Sequence, residues 1–149
     1  MTEYSKIFEL FLTSVNDYKI DKLYAEDQVD DGDRMETYLT PFLIKSIPTF
    51  DKCKKDLEDR DDTTRIFNQD LNTDEKVILS DLMVYEWLKS ELNDIRQMRL
   101  RLTDDAFKSY AEANNMKEKS SLLNTMEESA DKRIVRYSQK NLNFQEDFG

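Results

Sequence analysis

The sequence predicts an all-α fold, a small helical bundle with a long C-terminal helix and an extended C-terminal arm. Three observations carry this expectation. Glycine occurs 2 times in 149 residues, while the tight turns of β-sandwiches, Rossmann folds and phosphate loops need it. Apolar residues recur three and four apart, the spacing of one helical face, along most of the chain. Leu, Ile, Val and Phe together make up about a quarter of the residues, above the level at which a highly charged chain stays disordered. Residues 1–140 therefore read as one helical domain and residues 141–149 as the arm.

The first helix is expected over 2–18. Tyr4, Ile7, Phe8, Phe11, Leu12, Val15 and Tyr18 form its apolar face, and Thr2 is placed to cap it. Residues 19–32 turn polar and end in Asp27, Asp30, Asp31 and Gly32, which predicts a loop. A second helix is expected from Asp33, which has capping-box spacing to Glu36. Its stripe runs through Met35, Tyr38, Leu39, Phe42, Leu43, Ile47, Phe50 and Leu57. Pro41 and Pro48 interrupt that stripe, and one kinked helix and two separate pieces fit equally well.

Residues 56–70 read as a charged connection holding one apolar pair, Ile66 and Phe67. The next helix has the clearest signal. Asn72 and Glu75 form a capping-box pair, and the residues from Val77 to Leu92 are apolar on nearly every side, so this helix should be central. Residues 94–102 alternate Met98, Leu100 and Leu102 with Arg99 and Arg101, and read as either strand or helix. Thr103 with Asp104 and Asp105 marks another helix start. The last helix carries Met116, Leu123, Met126, Ala130, Ile134 and Tyr137 inward, with Glu128 and Lys132 as an i,i+4 pair outside.

Composition excludes several kinds of chemistry. With no His there is no Ser-His-Asp or Cys-His catalysis and no His metal site. The single Cys forms neither an internal disulfide nor a zinc cluster. Cys53 lies among Lys52, Lys54 and Lys55, but its helical spacing from Phe50 and Leu57 reads first as core. Asp27, Asp31, Gly32 and Asp33 match parts of a calcium loop, yet Val29 and Tyr38 stand where ligands are required. Glu91–Asp94 and Glu128–Asp131 have the spacing of helical magnesium sites without the companion acids, and read as surface carboxylates. No catalytic residue, cofactor or metal is expected. No apolar run reaches the roughly 18 residues of a membrane span. The start, MTEYSKIFEL, reads as a mature cytoplasmic one.

Charge is uneven. The chain carries a net charge of -10, of which residues 1–75 hold -9 and residues 76–149 hold -1. An acidic surface repels the phosphate backbone, so specific nucleic-acid binding is disfavoured. Two basic groups stand out, Arg96, Arg99 and Arg101, and Lys132, Arg133, Arg136 and Lys140. They are either solvated helix faces or a surface for an acidic partner.

The order of these segments over residues 4–140 resembles the small helical neck proteins of tailed bacteriophages, the head–tail connectors or adaptors. FDKCKKDL (50–57), DLNTDEKVILSDLMVYEWLKSEL (70–92) and LTDDAFKSYAEANNMKEKSSLL (102–123) carry the resemblance. It implies a non-enzymatic virion protein, made in the host cytoplasm and placed in the neck. Such a protein forms a homo-oligomeric ring, dodecameric in the virion, beneath the portal protein. It contacts a tail or second neck protein and lets DNA pass through without specific binding. The 16 aromatic residues, spread along a chain of modest hydrophobicity, suit a subunit that buries surface against neighbours. An acidic inhibitor or DNA mimic that occupies a basic site explains the net charge as directly.

The expected partner-binding residues are Leu142, Phe144 and Phe148 of the arm, with Arg133 and Arg136 just before it. Two Phe and a Leu in the last nine residues are apolar for a frayed end. They suit an arm that docks on a neighbour or on the portal.

Overall fold

The computed structural model describes residues 1–148, with side chains described for residues 1–140. It is mostly helical, as expected. The elements in order are β1 (Thr2–Glu3), α1 (Tyr4–Ser14), α2 (Tyr18–Asp30), α3 (Arg34–Ser46), β2 (Arg60–Asp61), β3 (Ile66–Phe67), α4 (Thr73–Gln97), α5 (Asp104–Ala113) and α6 (Met116–Phe148). Helix α4 is the axis. Helices α1 and α3 pack on it, as does α6, while α2 packs on α3 and α5 on α6.

The predicted first helix is cut in two. It stops at Ser14, and Val15 is extended (φ -124°, ψ 122°) although still buried. Tyr18 therefore leaves the expected apolar face and becomes exposed at the start of α2. Thr2 does not cap α1. Its hydroxyl donates to the Gln69 carbonyl at 3.1 Å and accepts from the Leu71 amide at 2.9 Å, tying β1 to the approach to α4.

The loop expected over 19–32 is helix α2. Its apolar face is weak, for only Ile20 and Asp27 are buried on it, so periodicity does not mark it as a helix. Polar contacts hold it instead. The Asp27 carboxylate accepts from the backbone amides of Arg34 at 2.9 Å and Met35 at 3.0 Å, so it caps α3 in place of Asp33, whose side chain makes no capping bond. Arg34 reaches back to Asp30 at 2.5 Å and to Glu26 at 3.8 Å. A Cβ at Gly32 would stand 2.9 Å from Asp30 Oδ1 and would push the ends of Asp30 and Arg34 aside. Asp27 and Asp30 are thus spent on structure, and Asp33 pairs with Arg65 at 3.0 Å. The calcium-loop pattern reads as a helix–helix corner.

Pro41 lies inside α3, which runs on through it and ends at Ser46, two residues before Pro48. The charged connection holds a small antiparallel sheet that periodicity alone does not reveal. Its order is β1–β3–β2, with Phe67 opposite both Thr2 and Arg60. Each strand has 2 residues, too few for an alternating pattern to register. Arg65 adopts a left-handed backbone (φ 57°) at the turn, and the Asp61 carboxylate accepts from the Thr63 amide at 2.9 Å. The Tyr4 hydroxyl donates to Asp62 at 2.5 Å and closes the sheet onto α1.

Both later helix starts are found. Asn72 and Glu75 form the full capping box of α4, and the Thr103 hydroxyl accepts from the Ala106 amide at α5. Residues 94–102 are helical through Gln97 and then make a single 3-10 turn, Met98–Leu100, so the alternation there is not a strand. Leu100 is 91% exposed, while the Arg99 guanidinium sits 4.7 Å from the centre of the Phe107 ring.

The aromatic residues belong largely to the monomer's own core, which corrects the expectation that they await neighbours. Tyr4, Phe8, Phe11, Phe42, Phe50, Phe67, Trp87 and Tyr137 are buried together. Trp87 packs edge-on against Phe11 and donates Nε1–H to the Tyr38 hydroxyl at 3.2 Å. Helix α6 carries helical backbone to Phe148, where the loss of apolar period had suggested an extended arm. Leu142, Gln145 and Glu146 are residue types that favour helix even without such a period.

The α2–α3 corner makes stability depend on pH. The amides of Met35 and Arg34 hold the Asp27 carboxyl below its ordinary value, and Arg34 does the same for Asp30. A carboxyl depressed in the folded state contributes stability above its unfolded pKa of roughly 4 and loses it as pH falls toward the folded value. Asp27→Ala is expected to lower the urea midpoint at pH 7 and to flatten its fall below about pH 4. Urea titrations across that range measure both effects.

Candidate functional site

The site builds outward from Glu75, at the first turn of α4. Its side chain is 1% exposed. Oε1 accepts from the Asn72 amide at 2.9 Å and from Lys55 Nζ at 3.2 Å. Oε2 accepts from the Tyr137 hydroxyl at 2.6 Å, with the Cys53 thiol 3.7 Å away. The Tyr137 hydroxyl in turn accepts from the Lys54 amide at 2.8 Å, and its ring packs edge-on against Phe50. One carboxylate therefore joins the start of α4, the 50–55 segment and α6. Burial, then the bond to Glu75, pushes the Tyr137 phenol well above its ordinary pKa. It acts as a permanent donor there.

Two more acids on the inner side of α4 meet bases of α6. Arg133 Nε stands 2.8 Å from Asp81 Oδ2, off the line of a good hydrogen bond, so the contact is chiefly coulombic. Burial raises the Asp81 carboxyl, and Arg133 offsets part of that. Glu91 lies between Lys19 of α2 and Lys119 of α6, each at 3.8 Å. It is buried, which corrects its reading as a surface carboxylate, while Asp94 points outward, so the two do not converge. Glu128 and Asp131 are exposed on α6. Among the described residues no cluster of three or more Cys, Asp or Glu side chains is placed to hold a metal ion. No described helix is long and apolar enough to cross a membrane.

These ties orient α6. Ala130, Ile134 and Tyr137 face the core, and one flank carries Lys132, Arg133, Arg136 and Lys140. Lys140 meets Asp74 of α4 at 3.2 Å. Lys132 and Arg136 are exposed and make no ion pair among the described side chains. A groove of about 400 Å³ runs between this flank and Asp74 and Ile78 of α4. Guanidinium groups beside a shallow groove can hold carboxylates by paired hydrogen bonds.

Of the expected partner-binding residues, the structure thus brings Arg133 and Arg136 to one flank. Leu142, Phe144 and Phe148 lie outside the described side chains. The roles of Asp81 and Glu91 were missed. The available signal was an acid at a core position of α4, since Glu91 is followed by buried Leu92 and precedes Ile95 by one helical turn. The other basic group, Arg96, Arg99 and Arg101, is spread over a helix end and a 3-10 turn.

Comparison with protein families, curated proteins and solved structures gave no match.

Two measurements test this site. Tyr137→Phe leaves the Lys54 amide and Glu75 each short of a partner, and should cost about 1–3 kcal/mol in urea unfolding. Cys53 is half-buried, and burial pushes its thiol up to about 11. Alkylation of the folded chain at pH 8 should run about two orders of magnitude slower than that of the unfolded chain, because so little thiolate is present. Equal rates would show that Cys53 is not held as described.

Proposed function

We propose that the chain is a non-catalytic assembly protein of a phage virion, a ring-forming head–tail adaptor. In this reading it seats beneath the portal, links it to the tail or to a second neck protein, and leaves a channel for DNA. The observation that carries the proposal is the outward basic flank of α6 on an otherwise acidic helical bundle. It offers a recognition surface for an acidic protein partner. The sequence resemblance over residues 4–140 adds to it. The buried acids support a non-enzymatic role, for Glu75, Asp81 and Glu91 each meet cations or hydroxyls from other segments and serve as ties.

The alternative is an acidic inhibitor or DNA mimic. The net charge of -10 favours it. Against it, part of the acidic cluster is already neutralised within the chain, by Arg34 at Asp27 and Asp30 and by Arg65 at Asp33 and Glu36. A mimic needs its acids free to meet a partner's bases.

Electron microscopy of the chain mixed with candidate portal rings tests the adaptor reading. A second ring of density beneath the portal is the expected result. Portal rings that stay bare at saturating chain would overturn it. Capture instead by a basic nucleic-acid enzyme, with loss of that enzyme's DNA binding, would favour the mimic.

A further inference from the structure

We propose that copies of this chain associate head to tail, the basic flank of α6 in one copy seating on the acidic end of α2 in the next. The inference rests on the ring-forming part of the adaptor reading and names the two surfaces that would meet.

Two segments of equal length and opposite charge carry it. Residues 26–34, EDQVDDGDR, hold five acids and one Arg, for a net of -4. Residues 132–140, KRIVRYSQK, hold four bases and no acid, for a net of +4. Each segment presents an outward valine, Val29 at 89% exposure and Val135 at 54%. Opposite charge on two surfaces steers and orients their encounter.

The acidic segment is not explained by the stability of its own helix. Asp27 and Asp30 occupy the last turn of α2, and Asp31 follows at its left-handed end (φ 53°). Carboxylates at a helix C-terminus meet the negative end of the helix dipole. Arg34 answers Glu26, Asp27 and Asp30 together, and Asp31 makes no ion pair among the described residues. Asp27 is met by the first amides of α3 and Asp33 by Arg65, so an external cation would add to Arg34 at Asp30 and Glu26 and would meet Asp31. On the basic side, Arg133 and Lys140 share charge with Asp81 and Asp74, while Lys132 and Arg136 have no such partner among the described residues.

One chain does not satisfy both surfaces by itself. Helix α2 packs on α3, while α6 packs on α4 and α5, and no described ion pair joins residues 26–34 to residues 132–140. The two surfaces differ, so the contact repeats in one direction, closing into a ring or running on as a filament according to its angle.

Sedimentation of the full chain tests the proposal. At about 50 mM salt the mean mass should rise above 17.7 kDa with concentration, and at about 1 M salt it should fall back toward 17.7 kDa. Two double variants remove most or all of the net charge of one surface each, Lys132→Glu with Arg136→Glu, and Glu26→Lys with Val29→Lys. Circular dichroism checks that both remain folded. Each variant alone should sediment at the monomer mass. An equimolar mixture should rise above the monomer mass, because the unaltered acidic end of one variant meets the unaltered basic flank of the other. A wild-type chain at monomer mass throughout would overturn the proposal, as would variants that associate like wild type or a mixture that does not rise above the monomer mass. A monomer that still seats on a portal would refute this inference and leave the adaptor reading standing. A chain that associates as described but leaves portals bare would do the reverse.

Discussion

A single buried carboxylate holds the fold in register. Glu75 closes the capping box of α4 and receives the Tyr137 hydroxyl and the Lys55 ammonium. An ionised carboxylate out of water is costly unless its oxygens are met by donors, and here backbone, phenol and ammonium meet them. Three stretches far apart in sequence must arrive together for that to happen. The packing of Phe50 on Tyr137 and the position of α6 follow from it.

The basic flank of α6 is a consequence of this arrangement. Tyr137 turned inward fixes the rotation of the helix, and residues one and four positions before it then lie along one side. Arg133 is drawn to Asp81 and Lys140 to Asp74, so the flank is anchored at both ends. Lys132 and Arg136 remain at the surface beside them. The polar ties that stabilise the bundle also aim its basic surface outward.

The acidic surplus has two parts. At the α2–α3 corner, Asp27 does the work of a helix cap, and Arg34 and Arg65 gather the acids around it. This is a structural use of charge in a segment too polar to be held by a core. Asp31 and the exposed face around Val29 are left over from it. Charge is therefore segregated in space as well as in sequence, with the acidic corner on α2 and the basic flank on α6.

Much of this was legible from the sequence alone. Scarce glycine and helical period identify the all-α class, and local capping chemistry marks the starts of α4 and α5, because a cap involves residues only three apart. The central place of α4 follows from apolar residues on nearly all its sides. The rest needed contacts between distant residues. Helix α2 has almost no apolar stripe and is recognised only once Asp27 is seen bonding to α3. The three short strands exist because Thr2 and Arg60 both find Phe67. Asp81 and Glu91 look like any other acids until α6 and α2 bring Arg133, Lys119 and Lys19 to them. Periodicity reports which side of an element is apolar. Which charges meet across the core is set by packing, and that decided the candidate surface.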